Sequence, residues 1–195
     1  MIDDIALAAL SSAAYTAAPT WWQGDVHACL TETPGASVIA FRGTVMTDAE
    51  AWLQDLDAVP VWRNGIGYCH RGFIEDAEAI WPGIKLAVRD RPFILTGHSL
   101  GGALAVCTAA LMARMGVLPV LVVTFGAPRV GELELRELLA PVSIRQYQHG
   151  NDPVPDMPPF FMHARVPLLH IGAPAEDPID CHAIGGYQAA LASSP

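Results

Sequence analysis

At 195 residues the chain is sized for one domain with a real core, and 52% hydrophobic against 16% charged residues excludes disorder. A net charge of −9, from 20 acidic and 11 basic residues, argues against a nucleic-acid partner and offers no attraction to anionic lipid. No apolar run reaches the roughly 18 to 20 residues of a bilayer span, because the best candidates are interrupted at Gly97, Gly101, Gly116 or Pro119.

Met1-Ile2-Asp3-Asp4 places acids where a secretion signal has its basic start. The expected location is therefore cytoplasmic, with secretion left open. Cys29, Cys69, Cys107 and Cys181 form neither a C-x-x-C pair nor a metal-ligand spacing with histidine, and are expected as reduced thiols.

In chain order, Ile5, Ala8, Ala9 and Ser12 mark an opening helix. Val26 to Leu30 and Ser37 to Phe41 are expected strands joined by the turn Thr33-Pro34-Gly35. Helical spacing returns at Ala49, Trp52, Leu53 and Leu56, and a longer helix is expected from Gly72 towards Arg89 despite Pro82. Phe93 to Thr96 is a short strand, followed by a helix from Ser99 to Met115. A strand from Val120 to Phe125, a helix from Glu132 to Leu139 and a strand from Ser143 to Gln148 follow. Arg165 to Ile171 is a last strand, and His182 to Leu191 a closing helix. Strands separated by helices imply a mostly parallel sheet flanked by helices, in one α/β domain spanning 1–195.

Gly97-His98-Ser99-Leu100-Gly101 is a G-x-S-x-G sequence set between a strand and an alanine-rich helix. That context suits a nucleophilic serine on a tight strand-to-helix turn, with its hydroxyl at the positive end of the helix. Alone, the pentapeptide would read equally as a serine N-cap after a glycine turn.

A serine needs an imidazole to take its proton, and on such an elbow the order is Ser, then acid, then His. The acids downstream are Asp152, Asp156, Glu176, Asp177 and Asp180, and the histidines His149, His163, His170 and His182. Asp152, in the turn Gly150-Asn151-Asp152-Pro153, directly follows a strand. His149 precedes Asp152 and fails the order, while His163, His170 and His182 satisfy it. The oxyanion needs the backbone N–H of Leu100 and a second donor, for which Thr44, at the end of Phe41-Arg42-Gly43-Thr44, stands at the right place.

These segments, with His70-Arg71-Gly72-Phe73, Thr124-Phe125-Gly126-Ala127-Pro128-Arg129, Asp152-Pro153-Val154-Pro155 and His182-Ala183-Ile184-Gly185-Gly186-Tyr187, together resemble the class 3 lipases, the fungal-lipase-like α/β-hydrolases. The resemblance runs from 41 to 187. It implies a compact α/β-hydrolase fold, a Ser99–Asp152–His182 triad, an oxyanion hole of Thr44 and Leu100, and an acyl ester substrate, often a glyceride. The reaction so implied is acyl transfer through an acyl-enzyme, requiring no metal and no cofactor. The partner is a small-molecule or lipid ester, with room for transient contact with a lipid interface. A phospholipase A1, an acyltransferase with the same triad, and a non-catalytic binding protein on this fold are the rival readings.

His98, Phe160 and Phe161 are the residues expected to touch substrate. The two phenylalanines lie in Met157-Pro158-Pro159-Phe160-Phe161-Met162, an apolar run for a loop. Thr47 to Trp62 is the best candidate for a lid, although its apolar stripe is read in preference as core packing.

Overall fold

The computed structural model describes residues 2–44, 59–88 and 91–193. Its first helix, α1 (Asp4–Ala13), starts where the Asp3 carboxylate accepts the Ala6 N–H at 2.8 Å. A short strand β1 (Trp21–Gln23) leads into β2 (Val26–Thr33) and β3 (Ala36–Phe41), an antiparallel hairpin turned at the expected Pro-Gly. A second hairpin pairs β4 (Pro60–Arg63) with β5 (Gly67–His70) as a separate two-stranded sheet. Then come α2 (Arg71–Ala87), β6 (Phe93–His98), α3 (Leu100–Arg114), β7 (Leu121–Phe125), α4 (Leu133–Leu138), β8 (Ile144–His149), β9 (Leu169–Ile171) and α5 (Ile184–Ser193).

The main sheet runs β1-β2-β3-β6-β7-β8-β9, antiparallel at the β1–β2–β3 edge and parallel from β3 onward. It is the mostly parallel, helix-flanked sheet of the α/β-hydrolase fold. Side chains of period two divide between its faces. Val38, Ile94, Val123 and Phe125 pack in one cluster with Leu7 of α1 and Tyr187 of α5. Ile39, Phe41, Leu95 and Val122 join the other cluster, with α2 and α3. Both faces are therefore covered, as central parallel strands require.

Three departures from the expected elements have local causes. β1 was not foreseen, and it sits where Trp21 lies against Gly83 of α2, a position with no room for a Cβ. The β4–β5 hairpin carries no alternating apolar pattern, since Trp62 and Tyr68 pair edge to face on its exposed side. The last strand is three residues long, because the chain from Arg165 to Leu168 is irregular before it pairs with β8. α2 continues through Pro82 as expected. The proposed lid segment falls largely on residues 45–58, outside the described residues. Among those described, no helix is long and apolar enough to cross a membrane.

Candidate active site

Ser99 stands between β6 and α3 with φ 58° and ψ −131°, and is the only non-glycine residue at positive φ among those described. That backbone is strained for an L-residue, and the surroundings hold it. The Ser99 N–H donates to the Phe125 carbonyl (2.9 Å), and its own carbonyl accepts the Gly102 N–H (2.9 Å). The flanking glycines permit close approach: a Cβ on Gly97 would strike the Gly101 backbone, and one on Gly101 would strike the Phe41 carbonyl.

Asp152 and His182 reach Ser99 from loops beyond β8 and β9, at the same carboxyl edge of the sheet. His182 Nε2 lies 2.9 Å from Ser99 Oγ, and His182 Nδ1 lies 2.9 Å from Asp152 Oδ2. A carboxylate accepts, so Nδ1 carries the proton and Nε2 is left to accept from the serine hydroxyl. Asp152 is fully buried and receives two further bonds, from the Val154 N–H to Oδ1 (2.9 Å) and from the Tyr187 hydroxyl to Oδ2 (2.5 Å). Burial first, and the Asp152 charge second, push the Tyr187 phenol well above its ordinary pKa, so it remains a donor. Gly126, at φ 60°, lies under this junction, where a Cβ would press on Asp152 Oδ2, Tyr187 Oη and His182 Nδ1. Asn151 ties the two loops together: its amide donates to the Ala175 carbonyl (3.1 Å) and its oxygen accepts the Ala175 N–H (3.0 Å).

Of the other candidates, Asp156, Asp177, His149 and His163 have partners elsewhere, and Glu176, Asp180 and His170 are exposed. Asp156 pairs with Arg129 (3.2 Å), and Asp177 caps the short 3-10 turn at Pro178–His182 by accepting from Ile179. His163 is buried against the Pro155 carbonyl (2.7 Å), and burial lowers its pKa to about 4. His149 faces the Cys181 carbonyl, and His170 is exposed on β9. The four cysteines are unpaired.

His98 departs from the substrate contact expected of it. Its ring is buried, with Nδ1 2.8 Å from Tyr15 Oη and Nε2 2.6 Å from the His182 carbonyl oxygen. Both nitrogens are taken by protein, which leaves none for a ligand. Phe161 is likewise turned inward, 2% exposed and tilted towards His70, which stacks on Phe73. Phe160, at 57% exposure, is the phenylalanine of that pair that faces outward.

Thr44 and Leu100 line one cavity of about 630 Å³, together with Arg42, Asp25, Asp76 and Leu104. Leu100 opens α3, so its N–H belongs to the first turn, which has no partner within the helix. Tyr15, Tyr187 and Asn151 were not singled out from the sequence. Tyr187 and Asn151 stood there only as neighbours, in the segments quoted for His182 and Asp152.

The sequence profile described as lipase (class 3) matches residues 38–162. Secreted mono- and diacylglycerol lipase 1 of Fusarium solani is 32% identical over 133 residues, 63% of this chain and 39% of that protein. The chloroplastic phospholipase A1-Igamma1 of Arabidopsis thaliana is 39% identical over 83 residues, 37% of this chain and 16% of that protein. The chain thus spans well under half the length of these curated relatives. The structure of Rhizomucor miehei triacylglyceride lipase superposes with a TM-score of 0.71 at 22% identity, covering 87% of this chain and 78% of that one.

Proposed function

The chain belongs to the class 3 lipase family, and from that premise we propose that it is a serine ester hydrolase acting on glycerides or related lipid esters. The observation that carries the reading is the unbroken run of hydrogen bonds from Tyr187 and Asp152 through His182 to Ser99 Oγ. In this reading the domain spans 1–195, Ser99 is the nucleophile, His182 the general base and Asp152 the group that orients it. As Oγ attacks the ester carbonyl, Nε2 takes its proton and the imidazolium is stabilised by Asp152. The N–H groups of Leu100 and Thr44 hold the oxyanion. The alcohol departs with the proton from Nε2, and water then attacks the acyl-enzyme by the same route in reverse. A cytoplasmic setting is part of the proposal, supported by the four free thiols.

The test is labelling of the chain by a serine-reactive phosphonate together with hydrolysis of p-nitrophenyl esters from acetate to palmitate. Labelling and turnover are expected. A chain that does neither is a binding protein on this fold, and the reading fails.

Within the same series, Phe160 supplies the outward apolar contact for an acyl chain or lipid surface. Phe160→Ser is expected to lower palmitate turnover roughly fivefold, in line with losing part of one buried aromatic side chain, while acetate turnover stays within about twofold. Equal losses on the two esters would remove Phe160 from the lipid contact.

Tyr187 disperses charge on the oxygen that Asp152 shares with His182. Tyr187→Phe removes that bond and loosens the carboxylate that orients His182. Plateau kcat is expected to fall by roughly fivefold with KM within about twofold, as loss of one charged-group hydrogen bond implies. An unchanged kcat would reduce Tyr187 to a packing residue.

A further inference from the structure

His182 is held by its backbone as well as by its ring, and the hold begins at the far end of the chain. Its carbonyl oxygen receives His98 Nε2 at 2.6 Å, and His98 Nδ1 faces Tyr15 Oη at 2.8 Å. A carbonyl can only accept, so Nε2 bears the proton of His98 and Nδ1 is a bare acceptor. The Tyr15 hydroxyl must then be the donor. Tyr15 lies just beyond α1, its own N–H bonded to the Ser12 carbonyl (3.2 Å). Its hydroxyl also fills the space beside Gly43, where a Cβ would collide with it and with the His98 carbonyl. One phenol therefore abuts the strand end that carries Thr44 and, through one imidazole, the peptide of His182.

We propose that Tyr15 is a positioning residue for the reaction, acting through His98 to fix the main chain of His182 and so the reach of its Nε2 to Ser99. The proposal rests on the reading of His182 as the base. Direction is built into the relay: Tyr15 donates to His98, and His98 donates to His182. A neutral imidazole is required for this, since a doubly protonated ring could not accept from the phenol. Burial first, and the neighbouring His182 second, lower the His98 pKa to about 3, so the ring stays neutral wherever the enzyme would work. Burial pushes the Tyr15 phenol up from its ordinary value, which keeps its proton in place. Tyr15 touches none of the reacting atoms, and its effect belongs in kcat.

The experiment is a double-mutant cycle on a soluble short-chain ester, with thermal melts to verify folding. Tyr15→Phe is expected to lower kcat about fivefold with KM within about twofold, the scale of one internal hydrogen bond. In the His98→Leu background the same change is expected to cost nothing further, because its only route to His182 has gone. His98→Gln can accept from Tyr15 and donate to the His182 carbonyl, and is expected to retain several times the rate of His98→Leu. An equal cost of Tyr15→Phe in both backgrounds, an unchanged kcat, or a loss confined to KM would overturn the proposal. If His98→Leu does not fold, the 15N resonance of His98 Nδ1 decides. Tyr15→Phe must move it towards the value of a free lone pair, and no movement overturns the relay. Wild-type protein that neither labels with a phosphonate nor hydrolyses any ester fails at the level of His182 as base, and the relay falls with it.

Discussion

Ser99→Ala is expected to lower kcat/KM by about 10⁵-fold or more, the scale on which removal of a serine nucleophile acts. The residual rate would come from the oxyanion donors and binding alone. The substitution isolates the chemistry because alanine inherits the same backbone strain at φ 58° and the same hydrogen bonds through Ser99 N and O. Ser99→Gly removes the same hydroxyl and relieves that strain. The elbow geometry costs roughly 1–3 kcal/mol for a residue with a Cβ, offset by up to about 1 kcal/mol for the extra freedom of glycine in the unfolded chain. The glycine variant should therefore melt a few degrees above the alanine variant, at about 2–4 °C per kcal/mol for a chain of this size. Activity retained in either variant would exclude Ser99 as nucleophile. Equal melting temperatures would show that the turn carries no strain worth relieving.

Asp152→Asn is expected to lower kcat by about 10⁴-fold through a change of tautomer rather than of shape. The Val154 N–H donates to Oδ1, so an asparagine there must keep its carbonyl oxygen on that side. Its NH₂ then occupies the place of Oδ2, facing the Nδ1–H of His182 and the hydroxyl of Tyr187, both donors. The ring escapes this clash by moving its proton to Nε2, where it points at Ser99 Oγ and no longer accepts from it. Stability should fall as well, because the buried Tyr187 hydroxyl loses its acceptor. Steady-state kinetics at neutral pH check the first effect and thermal melts the second. A loss of less than about tenfold would mean that Asp152 does not set the tautomer.

The positions legible in the sequence were those marked by their neighbours along the chain. Ser99 sat in its glycine frame between a strand and a helix, Asp152 in a turn after a strand, and Thr44 at a strand end. His182 was one of three histidines allowed by order, and the resemblance to a family chose it. The structure brings it within 2.9 Å of both Ser99 and Asp152. Tyr15 was illegible because its partner, His98, lies 83 positions away and nothing local distinguishes it from other half-buried tyrosines. His98 misled for the opposite reason: its neighbour in sequence is the serine, but strand alternation turns its side chain to the other face, towards α1. Phe160 and Phe161 diverge likewise, one outward and one into the core, a choice made by the His70–Phe73 stack that Phe161 meets. β1 and the β4–β5 hairpin were too short and too polar on one side to show a period.

α1 and α5 lie side by side on one face of the sheet, and the rings of Tyr15, just beyond α1, and of Tyr187 in α5 both lie against that of His98. Both helices rest on the same apolar cluster against the sheet, so a local opening that lifts one uncovers the other, and protection of their amides against hydrogen exchange is expected to be lost together.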